Sequence, residues 1–113
     1  MQIIGTRDST DTRKAERFFK ERRVPCQFVD LRQRALTRGE LENIARALGT
    51  EELLDPDSKE FARAGLSYLV YDPVEEALKN PLLLKVPIVR RRKQATAGYR
   101  PEVWQSWLAA PAS

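Results

Sequence analysis

The sequence contains no histidine and only one cysteine, Cys26, among its 113 residues. Without histidine, a serine hydroxyl lacks its usual activating base, so the composition excludes a serine–histidine nucleophile. A single cysteine cannot form an internal disulfide, which favours a cytoplasmic location. We expect neither a metal site nor a bound cofactor.

Long apolar runs are also missing. No window approaches the roughly 18 to 20 apolar residues that a membrane-spanning helix requires. The N-terminal MQIIGTRD has no basic region followed by an apolar run, so it does not resemble a secretory signal. We therefore expect no membrane association. With 42% hydrophobic and 32% charged residues, a chain of 113 residues predicts one domain with a single core.

The excess of positive charge is small, with 20 basic against 16 acidic residues and a formal charge of +4. The densest basic run is RRRK at residues 90–93. This run could contact phosphates or an acidic protein surface, but we favour a solvated hairpin turn that discourages edge-to-edge sheet pairing. No aromatic residues are interleaved with it and no nucleic-acid motif is present, so we do not expect direct nucleic-acid binding.

Residues 1–33 predict a strand, a helix and a second strand. QIIG is short and apolar, and Ala15, Phe18, Phe19 and Arg22 follow helical spacing from about Thr10. VPCQFVDL then predicts the second strand, which completes a βαβ unit.

Residues 34–83 predict a helical insert. Thr37 and Glu40 form a capping box at the start of its first helix. A second, short helix is expected from about Ser58 to Ala64, and a third has Asp72 as its cap and Pro73 at its first position.

Residues 84–113 predict a hairpin and a closing helix. KVPIVRR and KQATAGY are the two strands, and the helix begins at Pro101 with Trp104 and Trp107 on its apolar side. We expect the strand at 86–90 to pair with its hairpin partner and to lie antiparallel to the first strand. The whole order predicts an α/β fold, a thioredoxin-like β-α-β…β-β-α sheet with an inserted helical subdomain. We interpret residues 1–113 as one domain, whose core is formed by 1–33 and 84–113.

Three stretches carry a family resemblance: STDTRKAERFFKERRVPCQFVDL, LLDPDSKEFARAGL and KVPIVRRRKQATAGYRPEVW. The first resembles the cysteine-bearing helix start of the arsenate reductase (ArsC-like) family, which includes the Spx-type transcriptional regulators and the YffB-like proteins. The second resembles that family's insert segment, and the third its Arg-Pro-Ile strand and hairpin. The resemblance covers nearly the whole chain and implies the same thioredoxin-like fold.

The resemblance also implies a degenerate active site. The family's Cys-x-x-Cys or Cys-x-x-Ser pattern begins with the nucleophilic cysteine, and the two positions correspond here to Ser9 and Thr12. The family's two oxyanion-binding arginines correspond to Asp57 and Val86. A serine hydroxyl has a far higher pKa than a thiol and would need a neighbouring aspartate as its base, which makes no recognisable triad.

Two uses stay open for the helix start. We favour ordinary capping over the binding of an anion by its unpaired amides. By the resemblance, Pro87 corresponds to a proline that presents the preceding backbone to a ligand or partner, and we predict a cis Val86-Pro87 bond. The candidate residues for anion or partner binding are Arg7, Ser9, Thr10, Arg13, Lys14, Pro87 and Arg90. We expect Cys26, at the far end of the first helix, to be a buried structural residue.

The functional prediction is a non-catalytic family member that acts as a binding or regulatory module. A protein partner such as RNA polymerase is implied only by the resemblance to Spx-type regulators. The Cys-x-x-Cys switch of those regulators is absent, so regulation would be independent of redox state. The alternative is a thiol- or glutathione-dependent reductase with an atypical active site, and only this alternative would use glutathione.

Overall fold

The computed structural model describes residues 1–109, which form a four-stranded sheet with helices on both faces. The strands are β1 (Gln2–Gly5), β2 (Gln27–Asp30), β3 (Ile88–Arg91) and β4 (Gln94–Ala97). The helices are α1 (Thr10–Glu21), α2 (Arg38–Leu48), α3 (Lys59–Ala64), α4 (Pro73–Lys79) and α5 (Pro101–Ala109). This order confirms the predicted β-α-β, helical insert, β-β-α arrangement. The predicted end of the core, residues 110–113, lies outside the described residues.

The strand order in the sheet is β2-β1-β3-β4. β1 runs parallel to β2 and antiparallel to β3, and β3 pairs with β4 in the predicted hairpin. In the β1–β3 register, Ile4 lies opposite Ile88 and Gln2 lies opposite Arg90. The start of β3 therefore lies near the end of β1, and the basic hairpin turn lies at the other end of the sheet.

The alternation of side chains along the strands produces two apolar layers. Ile3 and Val89 pack with α1 and α5, where Trp104 and Trp107 are buried as the apolar side of the last helix predicts. Ile4 and Ile88 point to the opposite face and pack with the insert. The insert therefore covers one face of the sheet and shares its core with the strands.

The helices begin at the residues that the sequence marks as caps. Thr37 and Glu40 form the predicted capping box of α2, and the side chains of Ser58 and Asp72 accept hydrogen bonds from the first turns of α3 and α4. α3 ends at Gly65, whose φ of 67° lies in the left-handed region that favours glycine. None of the helices in residues 1–109 is long and apolar enough to cross a membrane.

A short backbone pairing just before β3 closes the part of the insert that contains α3 and α4. The amide of Lys85 donates to the carbonyl of Leu53 and the amide of Asp55 donates to that of Leu83, each at 3.0 Å, on either side of a bridge between Leu54 and Leu84. The Val86-Pro87 peptide bond, just after this pairing, is cis as predicted. The carbonyl of Pro87 accepts a hydrogen bond from Gly98 at 2.9 Å, which joins this turn to the end of β4.

We predict that Glu40 makes the free energy of unfolding depend on pH in the acid range. Hydrogen bonds from Arg34, and a further one from the Thr37 amide, lower the pKa of Glu40 from 4.5 to about 2. Because the folded state holds this carboxyl ionised more strongly than the unfolded state does, the stabilisation is complete above about pH 4.5 and is lost as the pH falls towards about 2. Glu40→Gln retains a capping side chain, so its unfolding free energy in urea should fall less than that of the wild type over this range.

The matched control is Glu42→Gln, which removes the same charge from the same helix. Glu42 forms no ion pair within residues 1–109. A Glu40→Gln protein with the full acid sensitivity of the wild type would contradict the prediction.

Candidate functional site

A shallow cavity of about 220 Å³ lies where β1 ends and α1 begins. Because β1 and β2 are parallel, their carboxyl ends meet at this edge of the sheet, and the closed insert completes the wall. The lining residues are Thr6, Asp8, Ser9, Leu31, Arg32, Glu60, Leu82, Leu84 and Val86. Two of the predicted site positions, Ser9 and Val86, are therefore brought together here.

Ser9 is the N-cap of α1, as the favoured interpretation of the helix start predicts. Its Oγ accepts a hydrogen bond from the amide of Thr12 at 3.2 Å, and its own amide donates to the carbonyl of Thr6. Within residues 1–109 this hydroxyl forms no hydrogen bond to a carboxylate that could remove its proton. The geometry is that of a cap and lacks the adjacent base that a nucleophilic serine needs.

The charges around Ser9 compensate one another. Asp8 forms an ion pair with Arg32 at 3.0 Å, and a hydrogen bond from Thr6, followed by that from Arg32, lowers the pKa of Asp8. Glu60 accepts a hydrogen bond from Asn80 at 3.0 Å and pairs with Arg63 at 3.3 Å. The cavity thus carries two carboxylates and one guanidinium that is already paired, an unfavourable setting for an oxyanion.

Sequence reasoning missed Arg32 and Glu60. Arg32 follows the carboxyl end of β2, and the rule that ligands bind beyond the carboxyl ends of parallel strands would have pointed to it. Glu60 comes from α3 and reaches the cavity because the insert folds back on the sheet, which no local pattern indicates.

Thr12 lies below the cavity floor instead of lining it. Its side chain is fully buried, and its Oγ1 has no hydrogen-bond partner. A Cβ placed on Gly5 would come within 2.4 Å of that Oγ1, so the glycine is what admits the threonine. Thr12, one of the predicted site positions, is therefore a packing residue.

The other aligned position, Asp57, is exposed and is not among the lining residues. Its amide donates to Oδ1 of Asp55 at 3.0 Å in the turn before α3. Val86, by contrast, is half-buried and forms part of the wall. Of the two residues predicted to stand in place of the family's arginines, one is an apolar wall residue and the other a carboxylate outside the cavity.

The candidate cations do not converge on Ser9. Arg7 lies 4.0 Å from Asp30 and over the ring of Phe28, Arg13 donates to Thr10 at 3.5 Å, and Lys14 lies 5.6 Å from the ring centre of Tyr99. Arg90 lies opposite Gln2, at the other end of β1. None of these four cations lines the cavity.

Cys26 lies just before β2, at the far end of α1, which spans about 18 Å. It is half-buried, less than the expected full burial, and its thiol donates to the carbonyl of Val24 at 3.6 Å. Burial raises the pKa of this thiol, which disfavours the reactive thiolate. Within residues 1–109 no three acidic, cysteine or histidine side chains are grouped as metal ligands would be.

No protein-family model and no curated protein sequence matches this chain. Solved structures do. A YffB protein superposes with a TM-score of 0.87 at 19% identity, over 96% of this chain and 98% of its own. An arsenate reductase (ArsC) related protein from Brucella melitensis has a TM-score of 0.71 at 18% identity, over 96% and 94% of the two chains. For an arsenate reductase from Vibrio cholerae the TM-score is 0.79 at 17% identity, over 94% and 97%.

The fold is that of the ArsC- and YffB-type proteins. The thioredoxin-like α/β architecture inferred from the sequence is thereby confirmed over almost the whole length of the chain. At these identities the likeness establishes architecture, and one architecture can carry several functions. What this site can do chemically must therefore be inferred from the residues around Ser9.

We predict that Thr12→Val stabilises the protein. Valine keeps the branched shape against Gly5 and removes a buried hydroxyl that has no partner, so the unfolding free energy should rise by about 1 kcal/mol. The control is Thr10→Val, the same change two residues earlier at an exposed position, which should stay within about 0.5 kcal/mol of the wild type. Urea denaturation measures both. A Thr12→Val protein less stable than Thr10→Val would mean that the hydroxyl has a partner.

Proposed function

We propose that this protein is a non-catalytic relative of the ArsC- and YffB-type proteins and that it acts by binding another protein. The observation that carries the proposal is the environment of Ser9. A hydroxyl stands at the family's nucleophile position, and it serves as the cap of α1.

Two further features support a silent reductase site. The thiolate chemistry of the family requires a sulfur nucleophile, and Cys26 lies at the other end of α1 with a raised pKa. An oxyanion substrate requires unpaired donors, whereas Arg32 is paired with Asp8 and a second carboxylate, Glu60, lines the same cavity. The described residues around Ser9 therefore include neither a sulfur nucleophile nor an unpaired cation that could bind an oxyanion substrate.

The proposal also includes the identity of the protein partner. Spx-type relatives bind RNA polymerase, and this resemblance is the reason to test the polymerase first. Ser9 and Thr12 cannot form the disulfide of a Cys-x-x-Cys switch, so we propose binding that does not respond to oxidation. A cytoplasmic location belongs to the same proposal.

The catalytic part is tested by placing a thiol at the cap. Wild-type protein should reduce no arsenate above background with glutathione and glutaredoxin. In Ser9→Cys/Cys26→Ala the single thiol lies at the N-terminus of α1, where the helix favours the anion, so it should alkylate faster than Cys26 does in the wild type. Arsenate turnover should stay poor in this variant and improve on adding Asp57→Arg and Val86→Arg. NADPH consumption and alkylation rates are the measurements.

A second comparison changes the charge of the cavity in the Ser9→Cys/Cys26→Ala protein and measures the pKa of the new thiol. Adding Asp8→Asn removes a carboxylate next to the new thiol and releases Arg32 from its ion pair, so the thiol pKa should fall. Adding Asp57→Asn removes a carboxylate outside the cavity and should change the thiol pKa much less. Robust turnover by the wild type would overturn the proposal. An unreactive Ser9→Cys thiol in a folded variant would show that Ser9 is not at the nucleophile position.

The binding part is tested with purified RNA polymerase from the same host. We expect saturable binding with the same dissociation constant in reducing and oxidising buffer, because the chain has no cysteine pair. Affinity measured by fluorescence anisotropy checks this. A dissociation constant that changes on oxidation would contradict redox-independent binding, and the absence of binding would contradict the choice of partner.

A further inference from the structure

A second groove, of about 490 Å³, lies between α2 and the hairpin of β3 and β4, at the end of the sheet far from Ser9. We call it the hairpin groove. Its charged lining residues are Arg46, Arg90, Arg92 and Lys93, and no acidic residue in the described part of the chain lines it. The remaining lining residues include the amides of Asn43 and Gln94.

The strand alternation explains why these cations converge. Arg90 lies opposite Ala95 in the hairpin register, and both line the groove on the face that α2 covers. Arg91 points to the other face, where its guanidinium donates to the carbonyl of Trp107 in α5. α2 packs against β4, and this brings Arg46 to the hairpin cations.

Three of the cations that line the hairpin groove form no ion pair within residues 1–109. Arg46, Arg90 and Lys93 have no described carboxylate within 4.0 Å, and Glu42, one turn before Arg46 on α2, forms no ion pair with it. In the Ser9 cavity, by contrast, Arg32 is the only cation among the described lining residues, and it is paired with Asp8. Unpaired cations that face each other repel, and an anion between them would relieve the repulsion.

The hydrogen bonds of the groove leave donors facing outwards. Arg46 donates to Oδ1 of Asn43 at 2.9 Å, so the amide group of Asn43 is left as a donor. Arg90 donates to Oε1 of Gln2 at 3.3 Å, which steadies one guanidinium and leaves its other N–H groups. An occupant must therefore be rich in acceptors and carry several negative charges. Phosphate oxygens meet this demand, whereas a peptide brings N–H donors of its own.

The hairpin turn adds a further cation to the lining of the groove. Arg92 has a φ of 55°, in the left-handed region where a residue with a Cβ costs roughly 1 kcal/mol relative to glycine. The turn thus holds an arginine at the groove where glycine would have the lower backbone energy.

We propose that the hairpin groove binds an oligophosphate group, either a free oligophosphate or the phosphate chain of a nucleotide. No aromatic residue lines the groove, so a base would find no stacking surface and the phosphates supply the recognition. The site is distinct from the Ser9 cavity. It does not depend on whether that cavity retains any chemistry.

The test is a titration of the full-length protein with sodium tripolyphosphate at low ionic strength. We expect saturable 1:1 binding by calorimetry, weakened as salt is added, with the side-chain amide signals of Asn43 and Gln94 shifting in NMR spectra. Orthophosphate should bind more weakly because it bridges fewer cations. ATP without a divalent metal distinguishes a nucleotide from a free oligophosphate. We expect ATP to bind no more tightly than tripolyphosphate, because the adenine has no partner in the groove.

Three variants probe the site and one serves as the control. Arg46→Gln and Arg90→Gln should each weaken tripolyphosphate binding roughly ten-fold. Arg92→Gly removes another lining cation at a position whose backbone glycine tolerates, and it should also weaken binding. Arg91→Gln removes the same charge from the same strand on the opposite face, and its affinity should stay within about two-fold of the wild type.

The proposal is overturned if tripolyphosphate does not saturate the wild type, or if Arg91→Gln weakens binding as much as Arg90→Gln does. Tighter binding of a poly-glutamate peptide at the same residues would also overturn it, in favour of an acidic protein segment. Tighter binding of a single-stranded oligonucleotide would do so in favour of nucleic acid.

Discussion

A backbone pairing between the middle and the end of the insert is the constraint on which the rest of the structure depends. It joins residues 53–55 to residues 83–85, so that the segment carrying α3 and α4 is closed just before β3 begins. The leucines of this pairing are almost fully buried, and each buried side chain of this size contributes roughly 1.5 to 3 kcal/mol. Val86 and Pro87 come directly after this pairing, which positions Val86 in the wall of the Ser9 cavity. Glu60 reaches the same cavity because α3 is held within the closed segment.

Basic residues behave in opposite ways at the two ends of the sheet. Near Ser9, Arg32 is paired with Asp8, and Glu60 is a second carboxylate in the lining of the cavity. In the hairpin groove, strand alternation gathers cations on one face without a carboxylate among the described lining residues. These two regions lie at opposite ends of β1, so the cations that can attract an anion lie at the end of the sheet away from Ser9.

Most of the fold could be predicted because its signals are local. The capping box of Thr37 and Glu40, the Asp72-Pro73 helix start and the two hairpin strands each depend on residues a few positions apart. The cavity was predicted only through Ser9 and Val86, which the resemblance supplied. Arg32, Glu60 and the burial of Thr12 depend on contacts between distant segments, and no spacing along the chain encodes them. Arg90 is a predicted candidate for anion or partner binding that the sequence cannot place, and the antiparallel register carries it to the end of the sheet away from Ser9.

The position of β1 between two apolar layers has a consequence for how the protein opens. Ile3 belongs to one layer and its neighbour Ile4 to the other, so a single strand of four residues forms part of the wall of both. Loss of β1 would expose both layers at once, so we expect the two layers to lose their packing together when this strand leaves the sheet. We therefore expect the amide hydrogens of β1 to exchange with solvent only on global unfolding.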